Sequence, residues 1–284
     1  MKLIKAEVLG YCMGVRRAVS LAKEALKAAA GVYPVYTVGP LIHNPQVLEQ
    51  FRAQGLEVLD EVEYLEDSSS VLIIRAHGIS PQLETTLACK CARMVDATCP
   101  IVKKSQIQAR SLTGAGYCLF LAGEQHHGEV IGIKGYAPDC LVIAHPGEVK
   151  EAAENLYHRT PHVKTALLGQ TTIAPDEYQC IARAIQVYFP NLEIIDSICK
   201  ATRDRQQALI KLCTQVDALL VVGGRESANT RRLLAIAQTQ GKQAWLVEAA
   251  SEIPLEIRAY PTIGLAAGAS TPDELIDVIA QALS

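Results

Sequence analysis

The chain has 284 residues, 49% of them apolar, and a formal net charge of −3 at pH 7. That length supports one large domain or two to three small ones with their own cores. The small net charge and the lack of a long basic run argue against a nucleic-acid or membrane-surface partner.

Targeting and membrane-spanning signals are not expected. The first ten residues, MKLIKAEVLG, carry Lys2, Lys5 and Glu7 where a signal peptide would have an apolar core. The longest apolar runs, such as ALLVV at 218–222, are too short to cross a bilayer. We therefore expect a cytoplasmic protein whose nine cysteines are core residues, nucleophiles or metal ligands rather than disulfides.

Short strand-like runs alternate with amphipathic helical patterns along the chain. The runs are predicted at 2–9, 32–38, 70–76, 117–123, 140–145, 164–170, 192–198, 218–224, 243–248 and 262–268. The first pattern between them has apolar residues from Val15 to Ala29 at helical spacing. This alternation predicts an α/β fold with mostly parallel sheets, and so many strands favour several small sheets over one.

Three cysteines share one local context. Cys12, Cys99 and Cys199 each follow a strand-like run, precede a helical pattern and have cationic residues close behind them. They lie 87 and 100 residues apart, which predicts three α/β units at 1–98, 99–194 and 195–284. Ligands of open α/β sheets bind at the carboxyl ends of the strands.

The chemistry of these three thiols has several readings. A helix N-terminus and nearby cations favour the thiolate, which is the form that metals and iron–sulfur clusters bind. The three are separate buried core cysteines, or they hold zinc with one open position, or they hold a 4Fe-4S cluster with one iron lacking a protein ligand.

Polar clusters follow several other strand-like runs. They contain His43, Asn44, His77, His126, His127, Gln170, Thr171, Thr172, Ser227, Asn229, Ser270 and Thr271. Taken singly, the Ser, Thr and Asn residues are helix caps, but several helix N-termini together suit a phosphate. No P-loop or GxGxxG pattern indicates a nucleotide. Glu129 is either a solvated loop residue or a proton donor beside a metal.

Nine motifs in order closely resemble the family of LytB-type 4-hydroxy-3-methylbut-2-enyl diphosphate reductases. They are GYCMGVRRAV, HNP, AHG, DATCP, HHGEV, GQTT, ICKATRDRQ, VVGGRESANTRRL and AGASTPD, spanning residues 10 to 273. The resemblance implies a trefoil of three small α/β units around a central iron–sulfur cavity. It implies a 4Fe-4S cluster held by Cys12, Cys99 and Cys199.

The resemblance also implies a reaction, the reductive dehydroxylation of an allylic diphosphate to isopentenyl and dimethylallyl diphosphate. By this resemblance the catalytic residues are Glu129, Thr171 and His127. The substrate-binding residues are His43, His77, His127, Thr171, Ser227, Ala228, Asn229 and Ser270. Two one-electron reductions and a proton remove the hydroxyl as water, and the expected electron donor is a flavodoxin or ferredoxin.

Three positions depart from the family pattern. Ala228 stands where many relatives have a second serine, so only its backbone is expected to contact diphosphate. Asp204 replaces an asparagine of some relatives, and His126 lies outside the pattern and receives no role.

Two other functions remain open: a non-redox Lewis-acid hydratase or hydrolase, and a cluster-binding electron carrier or regulator. The spacing argues against an electron carrier, because ferredoxin-type carriers hold their clusters with closely spaced C-x-x-C runs, whereas these three cysteines lie 87 and 100 residues apart.

Overall fold

The computed structural model describes residues 1–59 and 69–283. The strands of these residues are β1 (Lys2–Lys5), β2 (Val35–Val38), β3 (Leu56–Leu59), β4 (Val71–Ile74), β5 (Arg93–Asp96), β6 (Cys118–Ala122), β7 (Leu141–Ile143), β8 (Thr165–Gly169), β9 (Glu193–Ile194), β10 (Ala218–Val222), β11 (Gln243–Val247) and β12 (Thr262–Ala267). The α-helices are α1 (Met13–Ala29), α2 (Pro45–Ala53), α3 (Pro81–Ala88), α4 (Pro100–Gly114), α5 (Gly128–Tyr136), α6 (Val149–Arg159), α7 (Pro175–Gln186), α8 (Lys200–Cys213), α9 (Ala228–Thr239) and α10 (Asp273–Leu283). Among the described residues, no helix combines the length and apolarity needed to cross a membrane.

The strands form three parallel sheets of four strands each. Their orders are β1-β12-β10-β11, β3-β2-β4-β5 and β7-β6-β8-β9. In the first sheet the register runs from Lys2 beside Thr262 to Lys5 beside Leu265. The predictions of an α/β fold and of several small parallel sheets are confirmed.

The three strand orders are copies of one arrangement. One edge strand of each sheet leads into a cysteine turn: β1 to Cys12, β5 to Cys99 and β9 to Cys199. The next strand inward, β12, β4 or β8, leads to Ser270, His77 or Thr171. The third, β10, β2 or β6, leads to Ser227, His43 or His127. Each sheet therefore supplies one cysteine and two polar loops at its carboxyl edge.

The copy at the C-terminal end is completed by the first strand of the chain. Residues 195–284 supply β10, β11 and β12, and β1 pairs with β12 as the edge strand. The division at 98/99 and 194/195 stays a proposal, and this pairing places the strand before Cys12 in the sheet of the third segment.

The described chain divides into two compact units. One comprises Met1–Val35, Gly39–Val58 and Lys200–Ser284, and the other comprises Tyr36–Val38 and Leu59–Cys199. In the first unit, Leu220 and Leu265 pack with α10, whereas Leu219 and Val221 pack with α8 and α9. Because alternate residues of a strand point to opposite faces, helices cover both faces of this sheet.

In the second unit, the sheet β7-β6-β8-β9 is likewise covered by helices on both faces. Phe120 and Leu167 pack on the side of α7, while Leu119 and Leu168 pack with residues of α4 and α5. Strands buried on both faces read as continuous apolar runs, which is why most were recognisable in the sequence.

Two strands, β3 and β5, were not expected. Both are edge strands, and β5 has the exposed charged residues Arg93 and Asp96 at its ends. Charges at an edge suit a strand exposed on one side, but they resemble a loop when the chain is read alone. The predicted stripe on α1 is confirmed at Ala18, Ala22 and Ala25, which are buried.

Candidate active site

The three cysteine turns are built alike. Cys12 and Cys99 are the N-cap residues of α1 and α4, and Cys199 directly precedes α8. Their backbone N–H groups donate to carbonyls that follow the neighbouring strand: Cys12 to Ala269 at 3.1 Å, Cys99 to Ala76 at 2.9 Å and Cys199 to Thr171 at 3.0 Å. None of the nine cysteines, all of which the structure describes, forms a disulfide, and these three are partly exposed. Each is thus an accessible thiol at a helix N-terminus.

The third strand of each sheet leads to a side chain that caps a helix. Asn44 Oδ1 accepts from Val47 N–H at 3.1 Å, His127 Nδ1 from Glu129 N–H at 3.2 Å and Ser227 Oγ from Thr230 N–H at 3.3 Å. Each cap satisfies one donor and leaves other N–H groups of the first turn for a ligand. Helix N-termini of this kind favour anions.

Within the first unit, the loop before α9 approaches His43. Ser270 Oγ donates to the His43 carbonyl at 3.0 Å. A Cβ at Gly224 would lie 2.5 Å from the same carbonyl oxygen. Only glycine permits this approach, so the predicted residues His43, Ser227 and Ser270 belong to adjoining loops.

Asn229 and Ala228 lie in the first turn of α9. Both are buried, and Asn229 Nδ2 has no hydrogen-bond partner among the residues that the structure describes. A buried amide without a partner costs free energy. An oxygen-rich ligand in this loop would satisfy it.

Charged side chains support this loop from outside. The Arg225 N–H and Nη1 donate to Glu248 at 2.8 and 2.7 Å, and Nη2 donates to Glu252 at 2.6 Å. Arg231 Nη1 donates back to the Arg225 carbonyl at 3.2 Å. Because the network is largely exposed, it shapes the loop more than it stabilises the fold.

Within the second unit, His77 and His127 form an edge-to-face ring pair with centroids 5.2 Å apart. The Nδ1 atom of His127 accepts the Glu129 N–H, so this geometry assigns the ring proton to Nε2. His127 therefore offers one N–H donor away from the helix, which suits a phosphate oxygen.

Glu129 is buried and bonded to Thr171 through both carboxyl oxygens. Oε1 accepts the Thr171 N–H at 2.7 Å and Oε2 accepts the Thr171 hydroxyl at 2.8 Å. Burial raises the pKa of Glu129 to about 7, although the two bonds from Thr171 act to lower it. The carboxyl group is thus poised to hold and release a proton near neutral pH.

Sequence reasoning named Gln170 of the second unit among the polar clusters but missed Arg75. Arg75 directly follows the apolar strand β4, and its guanidinium lies 2.8 Å from where a Cβ of Gly128 would be. Burial lowers the pKa of Arg75. The sequence feature that could have identified this residue is a charged side chain directly after the apolar run VLII. Gln170 accepts the Glu124 N–H at 3.0 Å and donates to Thr172 at 2.8 Å, which orders the Thr171 loop.

His126, to which the sequence assigned no role, is exposed. It lines a surface cavity of about 490 Å³ together with Lys134 and Gln82. Its neighbour His127 is buried, so the two adjacent histidines have different environments.

Known proteins resemble the chain over its full length. The model of a protein family described as "LytB protein" matches residues 3–284. A 4-hydroxy-3-methylbut-2-enyl diphosphate reductase of Treponema denticola is 44% identical, with 98% of each chain covered. The reductase of the same name from Aquifex aeolicus is 37% identical, covering 98% of this chain and 94% of its own.

Solved structures agree with the sequence relatives. The E-1-hydroxy-2-methyl-but-2-enyl-4-diphosphate reductase of Plasmodium falciparum has a TM-score of 0.91 at 30% identity, covering 99% of this chain and 87% of its own. A structure described as (E)-4-hydroxy-3-methyl-but-2-enyl diphosphate reductase, the terminal enzyme of the non-mevalonate pathway, has a TM-score of 0.70 at 35% identity, covering 100% and 99%. The match to the family model and the full-length relatives together show that this chain belongs to the LytB family.

Proposed function

We propose that the chain is an iron–sulfur reductase that removes the hydroxyl of (E)-4-hydroxy-3-methylbut-2-enyl diphosphate. The products are isopentenyl and dimethylallyl diphosphate. The observation that carries the proposal is the repeated cysteine turn, one at the edge strand of each of three sheets. The names of the full-length relatives support the same substrate.

The donor set fits a 4Fe-4S cluster held by Cys12, Cys99 and Cys199. None of the three forms a disulfide, and all three are partly exposed thiols at helix N-termini. Iron–sulfur clusters are held by cysteine thiolates. Three thiolates leave one iron without a protein ligand. When bound, the cluster supplies single electrons and Lewis acidity.

Glu129 holds the proton that the reaction needs. The net change is R–OH + 2 e⁻ + 2 H⁺ → R–H + H₂O: the carbon–oxygen bond breaks, a carbon–hydrogen bond forms, and one proton leaves with the oxygen. Hydroxide is a poor leaving group, so delivery of that proton from the buried carboxyl lowers the barrier. The Thr171 hydroxyl, 2.8 Å from Glu129 Oε2, keeps the donor in place.

The diphosphate end is bound by polar side chains and helix N-termini. We assign it to His43, His77, His127, Ser227, Asn229 and Ser270, with the backbone of Ala228 in the first turn of α9. The unpartnered Asn229 amide and the Nε2–H of His127 support this assignment. Polar loops of this kind have no purpose in a simple electron carrier.

Two further proposals rest on the family resemblance and composition. The electrons come from an external carrier, a flavodoxin or ferredoxin. The protein is cytoplasmic, which nine cysteines without a disulfide support because a reducing compartment keeps thiols reduced.

The test is iron and sulfide content of protein purified without oxygen, followed by reduced-viologen turnover with the allylic diphosphate. We expect about four irons per chain and substrate-dependent viologen oxidation. Cys12→Ser is expected to lose iron, whereas Cys180→Ser, an exposed cysteine on α7, is the matched control that retains it. Glu129→Gln is expected to keep iron and lose turnover.

Zinc or no metal in the parent protein, with no turnover, contradicts the proposal. Hydration or hydrolysis of the diphosphate without viologen oxidation favours the non-redox alternative instead.

A further inference from the structure

The turn that carries Cys12 has a demanding backbone. Gly10 has a φ of +71°, in the left-handed region that favours glycine. A Cβ at Gly10 would also collide with the Asp273 carboxylate at the start of α10. One contact of the turn is the bond from Cys12 N–H to the Ala269 carbonyl at 3.1 Å. Its position therefore depends on the segments packed around it.

A buried arginine of α8 holds this turn from beneath. Arg205 is 3% exposed. Its Nη2 donates to the Gly10 carbonyl at 2.9 Å, and its Nη1 donates to the Ala267 carbonyl at 3.0 Å and lies 3.5 Å from the Val8 carbonyl. One planar cation thus joins the chain leaving β1 to the end of β12, with a geometry that lysine cannot reproduce.

We propose that Arg205 is a positioning residue for Cys12. It fixes the distance between the β1 exit, which carries the cysteine, and the β12 exit, which accepts the Cys12 N–H. A buried cation requires such partners because desolvation is costly, so the carbonyls and the guanidinium hold one another in a single arrangement. The inference rests on the proposed function only in taking Cys12 as a cluster ligand.

The same helix provides a contrast. Lys211 of α8 is exposed and pairs with Glu7, which also follows β1. An exposed pair of flexible side chains is worth little in water. The two cations connect the same helix to the same chain segment, but only Arg205 is buried against the turn.

Hydrogen–deuterium exchange of the full chain, purified without oxygen, tests directly whether Arg205 orders the Cys12 turn. In Arg205→Met we expect exchange in the segment 8–13 to accelerate about tenfold, since the Cys12 N–H bond opens locally. Exchange around Cys99 is expected to stay unchanged. Lys211→Met, the matched control, is expected to leave both segments unchanged.

Release of iron to a chelator is the second readout. We expect iron release several-fold faster in Arg205→Met than in the parent or in Lys211→Met. Arg205→Lys should restore part of the difference, because it keeps the charge but loses the planar set of guanidinium N–H donors. If Arg205→Met does not fold, the same measurements on Arg205→Lys carry the test.

Unchanged exchange at 8–13 together with unchanged iron release overturns the role of Arg205, even though the reductase proposal stands. Acceleration spread evenly over the chain also overturns it, because it indicates general destabilisation. A parent protein without iron contradicts the proposed function, and the exchange measurement still decides whether Arg205 orders the Cys12 turn.

Discussion

The buried carboxyl of Glu129 makes the stability of this protein depend on pH in a defined direction. Burial raises its pKa from the ordinary 4.5 to about 7. Between these values the folded chain binds a proton that the unfolded chain releases. The stabilisation is complete below about pH 4.5 and is lost as the pH rises through about 7.

The size of the effect follows from the same two values. At about 1.36 kcal/mol for each pKa unit, the whole difference is roughly 3 kcal/mol, and most of it falls between pH 5 and pH 8. Glu129→Gln removes the charge but keeps both contacts, because an amide oxygen accepts the Thr171 N–H and an amide N–H donates to the Thr171 hydroxyl. We therefore expect the variant to gain roughly 2 to 3 kcal/mol over the parent between pH 5 and pH 8.

Urea unfolding of the iron-free full chain at several pH values measures this difference. Glu151→Gln, an exposed glutamate on α6 in the same unit, is the control that should follow the parent at every pH. A stability difference between parent and Glu129→Gln that does not change with pH refutes the reasoning. We also expect parent turnover to fall as the pH rises through about 7, since the proton donor is then lost.

The remaining predictions concern the loops proposed to bind diphosphate, and the core. Gly224→Ala places a methyl group 2.5 Å from the His43 carbonyl, so we expect pyrophosphate to bind at least several-fold more weakly by calorimetry; unchanged affinity contradicts the close approach. Asn229→Ala is expected to weaken pyrophosphate binding about tenfold, because a charge-assisted hydrogen bond is lost, and equal affinity removes Asn229 from the site. Tyr178→Phe removes a buried hydroxyl that contacts the Leu167 and Ile195 carbonyls at 2.7 and 2.8 Å. It should cost about 1 to 3 kcal/mol of unfolding free energy, and a loss near zero in urea unfolding contradicts this.

The parallel-sheet architecture was predictable because its signals are local. Runs such as ALLVV and CLFLA are buried on both faces, and this makes them continuously apolar and easy to recognise. The capping residues Asn44 and Ser227 are also predictable from the sequence, since each side chain accepts a hydrogen bond from a backbone N–H only three residues along the chain. The edge strands β3 and β5 were missed because short, partly charged edges resemble loops.

The sequence by itself predicted which residues carry the chemistry. Three cysteines in matched strand–turn–helix contexts and nine motifs in order identified the family and the candidate ligands. Only the tertiary structure decided how those residues are held. The bond from Arg205 to Gly10 joins positions 195 residues apart, and the pairing of β1 with β12 joins the two ends of the chain. The pKa of Glu129 likewise depends on burial by distant segments and on Thr171. Such contacts depend on packing between distant segments, which no local pattern in the sequence records.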